Sequence, residues 1–125
     1  MWGTMDAFVS MKENRDFRRL YNRGKSFVSP VLVTYVMKNR VKKHRVGITT
    51  SKKVGCAVRR NRSRRVIREA FRLLAPRLPE GAGNDFVFVA RARTPYVKMD
   101  EVYRVMEQHL KKAGVLAQNE RPVRP

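Results

Sequence analysis

The sequence predicts one α+β domain, a two-layer sandwich of three helices on a mixed sheet, with elements in the order α-β-β-β-α-β-α. Three observations lead there. The 125 residues are close to the commonest single-domain length, and 42% of them are apolar, enough for one sizeable core. Some stretches carry apolar residues at helical spacing, and others are β-branched or aromatic runs bounded by turn residues. No internal repeat or low-complexity linker divides the chain.

Residues 1–10 read as an N-terminal extension, 11–117 as the domain and 118–125 as a disordered tail. Asn14 is placed to cap a first helix, and Asp16 lies in the first turn, where the positive helix end favours a carboxylate. Phe17, Leu20 and Tyr21 share one face of that helix. Gly24 is expected to end it in the left-handed conformation. Val31–Met37 reads as a strand after Pro30, with Val31, Val33, Tyr35 and Met37 on one face and Leu32, Thr34 and Val36 on the other. Asn39–His44 is a basic turn. Arg45–Thr50 is the next strand, with Val46, Ile48 and Thr50 on one face. The shortness of the turn predicts an antiparallel hairpin between these two strands.

Ala57–Leu74 is the longest helix. Ser63, Val66, Ile67, Ala70, Phe71 and Leu74 turn inward at about 100° per residue; Asn61, Arg65, Arg68 and Arg72 lie opposite, with Arg62 on the flank. Pro76 and Pro79 stop the helix, and a Gly-rich loop follows. Asp85–Arg91 is apolar on both faces, as an interior strand is. After the Thr94-Pro95 break, Met99–Ala113 forms the last helix, with Met99, Val102, Tyr103, Met106, Leu110 and Ala113 inward and Gly114 closing it.

The charge narrows the function. There are 29 Lys and Arg against 10 Asp and Glu, a formal net charge of +19. No acid occurs between Asp16 and Glu69, a span that holds 17 basic residues; the rest of the chain nets only +2. A surface made for solubility intersperses both signs, so this span is expected to meet phosphates. The lone Cys56 excludes a disulfide framework and a thiolate zinc cluster, and His44 and His109 are too far apart in sequence for an obvious metal site. No apolar run approaches about 18 residues, and the first residues do not resemble a secretory signal. A soluble intracellular protein of a reducing compartment is expected. Catalysis is poorly supported. A two-metal nuclease needs clustered carboxylates, and the ten acids are scattered. Cys56 is read as a small packing residue.

The densest stretch is Ser51–Phe71, where 8 of the 17 residues from Lys52 to Arg68 are Lys or Arg. Arginine pairs bidentately with phosphate and keeps its charge. Arg62, Arg65, Arg68 and Arg72 form a ridge able to track a nucleic-acid backbone. Lys52, Lys53 and Gly55 precede the helix, whose free amides add to an anion site. Arg59 and Arg60 are expected to reach beyond the sheet. Asn61 could cap, bond a base or face water. Phe17, Tyr21 and Tyr35 are either core residues or the floor of a groove for unpaired nucleotides. The pattern alone favours core for Phe17 and leaves Tyr35 open.

These residues carry a resemblance. SKKVGCAVRRNRSRRVIREAFR, with Arg60-Asn61-Arg62 at its centre, preceded by NRDFRRLYNRGKSF and RVGITTSKK and followed by DFVFVAR, resembles the bacterial ribonuclease P protein subunit family over roughly Met11 to Gly114. The resemblance implies an accessory subunit, inactive alone, of an endoribonuclease whose RNA is the catalyst and which removes the 5′ leader of precursor tRNA. It implies that Lys53, Arg60, Asn61, Arg62, Arg65 and Arg68 contact the catalytic RNA. It implies that Phe17, Tyr21, Tyr35 and Lys52 hold the single-stranded leader, which moves Phe17 from core to cleft. No cofactor is expected on the protein itself, magnesium being required by the RNA. One protein per RNA, in the cytoplasm, is expected. The family fold also implies a left-handed crossover around the Arg-rich helix, where general topology rules predict a right-handed one. One residue departs from the family pattern, which usually has Asn where Cys56 stands. Two other readings compete: an RNA-binding protein of ribosomal or chaperone type, and a nuclease acting alone.

Overall fold

The computed structural model describes residues 8–79 and 83–116. The chain runs β1 (Phe8–Ser10), α1 (Asn14–Arg23), β2 (Lys25–Val28), β3 (Leu32–Lys38), β4 (His44–Thr49), α2 (Ala57–Leu74), β5 (Asn84–Ala90) and α3 (Met99–Lys112). The mixed five-stranded sheet has the order β1-β4-β5-β3-β2. The expected sequence of helices and strands holds, with β1 added in front. That strand ends what reads as an extension: Phe8–Ser10 pairs in parallel with His44–Val46 at the sheet edge. The tail 118–125 and residues 1–7 lie outside the described residues.

The expected hairpin does not form. β3 and β4 run antiparallel but do not touch, because β5 lies between them, antiparallel to β3 and parallel to β4. The reason is in β5 itself. Six of its seven residues are buried, so its lowest free energy is the centre of the sheet, covered on both faces. The turn after β3 therefore spans two strand spacings, roughly 10 Å. It does so by wrapping the start of β5. The Asn39 N–H donates to the Gly83 carbonyl, and a Cβ on Gly83 would lie 2.3 Å from Asn39 Oδ1. β3 pairs instead with β2, an edge strand whose only half-buried side chain is Phe27.

One face of the sheet packs α2 and α3. The buried residues of α2 are Ser63, Val66, Ile67, Ala70, Phe71 and Leu74, the same six that the helical period selects. Phe71 is the keystone, its ring 5.2 Å from Phe86 and 5.4 Å from Phe88 of β5. In α3 the expected inward residues all join this core, and His109 joins them. Its Nδ1 lies 2.7 Å from Thr34 Oγ1 on β3. The other face carries a smaller cluster, Met11, Leu20 and Val87, with Phe17, Tyr35, Met37 and Val89 packed against it. Here α1 lies as a partial third layer.

Two details of α1 differ from expectation. Glu13 holds the cap position without a side-chain hydrogen bond, and Asn14 is the first helical residue. Gly24 is extended, with φ −75°, not left-handed. It is glycine for space: a Cβ there would lie 2.7 Å from the Leu20 carbonyl oxygen and 3.1 Å from that of Val36.

Candidate nucleic-acid interface

Because α1 covers only part of its face, the sheet is left open along a trough. Phe17 lies over Gly47 of β4, where a Cβ would come within 2.5 Å of the ring, so the glycine lets the aromatic sink onto the backbone. Tyr21 is exposed and meets half-buried Tyr35 edge to face, with ring centroids 4.9 Å apart. On the Tyr21 side the trough is a hollow of about 460 Å³ lined by Asn14, Phe17, Arg18, Thr49 and Arg64. On the Tyr35 side of this tyrosine pair lies a second hollow of about 640 Å³ lined by Val33, Lys53, Val89, Arg91 and Arg93. Phe17 and Tyr35 are thus packed below and open above, an arrangement compatible with either reading. The walls are cationic, the floor is aromatic and aliphatic, and no carboxylate lines either hollow among the described residues.

The lysines are placed by a 3-10 turn at Lys52–Val54. Ser51 Oγ accepts the Lys53 N–H, and Val54 is buried, which turns both lysines outward. Lys53, expected on the RNA-subunit side, lines the trough; Lys52, expected in the cleft, lines neither hollow.

The α2 face is less uniformly available than its spacing implies. Arg60 does not reach beyond the sheet but folds back, donating to the Gly55 carbonyl at 2.9 Å. Arg62 donates to the carbonyls of Pro95 at 2.8 Å and Val97 at 3.4 Å, tying α2 to the turn before α3. Asn61 is exposed and accepts from Arg64. Arg72 pairs with Glu69. Arg65 and Arg68 remain exposed, and among the described residues their guanidiniums form no ion pair or hydrogen bond. Arg64 is the residue that sequence reasoning missed. It borders the Phe17 hollow and also a smaller one shared with Arg68, so it joins the helix face to the trough. Its position next to inward Ser63 was the available signal, since it marks the helix flank nearest the sheet edge.

The acid-free span is also not free of acids in space. Asp85, 1% exposed, accepts from Arg45 Nε and Nη2 at 2.8 Å each, from Arg19 at 2.9 Å and from Asn39 at 2.7 Å. Arg19 also pairs with Asp16 at 3.0 Å. Burial alone would raise the Asp85 pKa, but the hydrogen bonds from Arg45, Asn39 and Arg19 and the Arg45 charge outweigh it and hold the group below the ordinary value. Two of the 17 basic residues thus fasten α1, and with it Phe17 and Tyr21, to β4 and β5.

Cys56 is exposed, not packed. It is the N-cap of α2 and makes no side-chain capping bond. The Arg59 and Val58 amides nearby still pull its thiol below the usual pKa. Asparagine, usual here in the family pattern, is among the best caps. Cys56→Asn is expected to stabilise the fold by about 1 kcal/mol. Urea unfolding of the two proteins checks this; equal midpoints would mean that the amide finds no backbone donor.

Most of the chain has counterparts among known proteins. Residues 5–114 match the family described as Ribonuclease P. The ribonuclease P protein component of Clostridium kluyveri is 41% identical over 111 residues, covering 89% of this chain and 98% of that protein. The structure of the Staphylococcus aureus RNase P protein superposes with a TM-score of 0.75 at 32% identity, covering 86% of this chain and 96% of that one. A second structure of the S. aureus protein, described as a mutant with defective mRNA degradation activity, matches equally well over 86% of this chain and 89% of that one. The Arg-rich helix, the aromatic trough and the strand order thus occur in a chain that resembles these proteins along almost its full length, and it belongs to the ribonuclease P protein component family.

Proposed function

We propose that this protein binds the catalytic RNA of ribonuclease P through the outer face of α2 and the single-stranded 5′ leader of precursor tRNA in the trough. It thereby assists leader removal without itself breaking the phosphodiester bond. The observation that carries this reading is the adjacency of two surfaces on one rigid sheet. Arg65 and Arg68 offer charge to a backbone, and Phe17, Tyr21 and Tyr35 offer rings to unpaired bases, with Arg64 between them. Phosphate contacts position, and stacking tolerates any leader sequence. Lys53, which lines the Tyr35-side hollow, is assigned to the leader. Arg60 and Arg62 commit part of each guanidinium to backbone carbonyls and bring their remaining donors and full charge to the RNA.

Magnesium belongs with the RNA. The two buried carboxylates among the described residues, Asp16 and Asp85, are already neutralised by Arg19 and Arg45 and do not suit a cation. Cytoplasmic location and one protein per RNA fit this role. Among the described residues no helix is long and apolar enough to cross a membrane.

Reconstitution with the catalytic RNA tests the reading. The protein should stimulate leader cleavage at low magnesium. Arg65→Ala and Arg68→Ala should weaken RNA binding and flatten its log–log salt dependence by roughly 0.7–0.9 per lost phosphate contact. Phe17→Ala should weaken precursor tRNA binding by about 1–3 kcal/mol and leave mature tRNA binding unchanged. Equal losses for both tRNAs would remove the leader from the trough. The mRNA degradation activity named for an S. aureus relative motivates a second reading, cleavage by the protein alone. Leader trimming by RNA-free protein at the rate of the assembled particle would establish it and end the first.

A further inference from the structure

Tyr96 has no part in the surfaces described so far. Among the aromatics whose side chains are described, only Tyr21 and Tyr96 are exposed, and Tyr96 is the more so, at 66% against 42%. Tyr21 lines the trough. Tyr96 sits on the 3-10 turn Thr94–Tyr96, beside the first turns of α2, with the Arg59 guanidinium carbon 5.4 Å from its ring centroid.

We propose that Tyr96, flanked by Arg59, is a second stacking platform, for an unpaired base of the catalytic RNA. This rests on the reading of α2 as the face that meets that RNA.

The turn is built to hold the ring still. Thr94 and Pro95 beneath it are buried. Thr94 Oγ1 donates to the Val31 carbonyl at 2.6 Å and accepts the Arg91 N–H at 2.7 Å. Arg62 clamps both flanks of Tyr96 through the Pro95 and Val97 carbonyls. An aromatic left two-thirds in water on a turn tied to α2 and to the segments flanking β3 and β5 does nothing for the core that a polar residue would not do. It is already ordered for a planar partner, so binding one loses little conformational freedom.

The partner's chemistry follows from the neighbours. Arg59 lies over the ring, Arg91, Arg93 and Lys98 flank the turn in sequence, and Val58, next to Arg59 on α2, is 75% exposed. Asp100 and Glu101 open α3 just beyond and temper the local charge. The turn therefore offers ring and guanidinium planes more than a phosphate clamp, which is the surface a base of a polyanion takes.

Affinity of the full-length protein for the cognate catalytic RNA, measured at several salt concentrations, tests this. Tyr96→Ala is expected to raise Kd about 5- to 150-fold with the salt slope unchanged, because no ionic contact is lost. Tyr96→Phe, which keeps the ring, is expected to stay within about twofold. Arg65→Ala runs in parallel as the control for the α2 face, with a shallower slope. If Arg65→Ala weakens binding and Tyr96→Ala does not, the platform is wrong and the α2 face stands. If neither does, the α2 face itself is wrong. A loss in Tyr96→Phe as large as in Tyr96→Ala overturns stacking in favour of the hydroxyl. A Tyr96→Ala loss confined to precursor tRNA, with RNA-subunit affinity intact, overturns the assignment to the catalytic RNA.

Discussion

Asp85→Asn is expected to destabilise the protein by about 3 kcal/mol, the low end of what breaking a buried ion pair costs. The low end applies because Arg19 and Arg45 keep 31% and 24% of their side-chain surface in water and can partly rehydrate. The substitution is isosteric, so packing is preserved and the loss is electrostatic. An amide offers one acceptor oxygen where the carboxylate has two, and its NH2 would face guanidinium donors. A functional effect should accompany the thermodynamic one. Asp85 touches no proposed ligand, yet it anchors the helix that carries Phe17 and Tyr21. Precursor tRNA affinity should fall while the catalytic RNA, meeting α2, is bound as before. Thermal and urea unfolding give the stability, and a loss below about 1 kcal/mol would mean that the arginines are solvated well enough without it.

Acid should weaken the fold well above the range of ordinary carboxylates. His109 is 4% exposed, and burial, with a smaller contribution from the Lys112 charge, lowers its pKa from 6.5 to about 4. The unfolded chain therefore binds the proton first. Stability is fully present above about pH 6.5 and is lost as pH falls toward the folded value. The loss is about 2 kcal/mol by pH 5 and about 3 kcal/mol once the folded-state group is protonated. His44, also buried and shifted downward, acts in the same direction. The Asp85 contribution has the same sign but a lower window, since a depressed carboxylate is protonated only below its ordinary value. Urea unfolding at pH 7 and pH 5 should show the loss, and His109→Gln should leave only the share of His44. A slope that survives in His109→Gln unchanged would place the titration elsewhere.

Periodicity read the interior of this protein well because it reports which face of an element is dry. The six inward residues of α2 and the doubly buried β5 are of this kind. His109 escaped because a histidine in an inward position has no apolar signature; Thr34 and Phe27, both more than 70 residues away, make it a core residue. The supposed hairpin failed for a related reason. A short turn limits how far two strands can separate, but not whether a later strand inserts between them. β1 is only three residues long, and β2 has Phe27 as its one half-buried side chain, too few to alternate. At the interface the residue types were legible and their availability was not. Arg65 and Arg68 differ from Arg60 and Arg62 only in what folds up beside them: the Gly55 carbonyl and the turn at Pro95. Arg19 and Arg45 look like part of a phosphate-binding surface until Asp85, remote in sequence, is seen beneath them.

The position of β5 also governs the order in which the molecule can be made. Leu32 pairs with Ala90 and Arg45 with Asp85, so every central ladder joins residues at least 40 positions apart. A ribosome-bound chain that has emerged only as far as α2 lacks the strand that joins β3 to β4, and lacks Asp85 to quench Arg19 and Arg45. Contacts this remote make folding slow, and cooperative completion must wait until that strand is in place. Until then the newborn chain is a loose polycation, and any RNA close to its birthplace is available to act as its first chaperone.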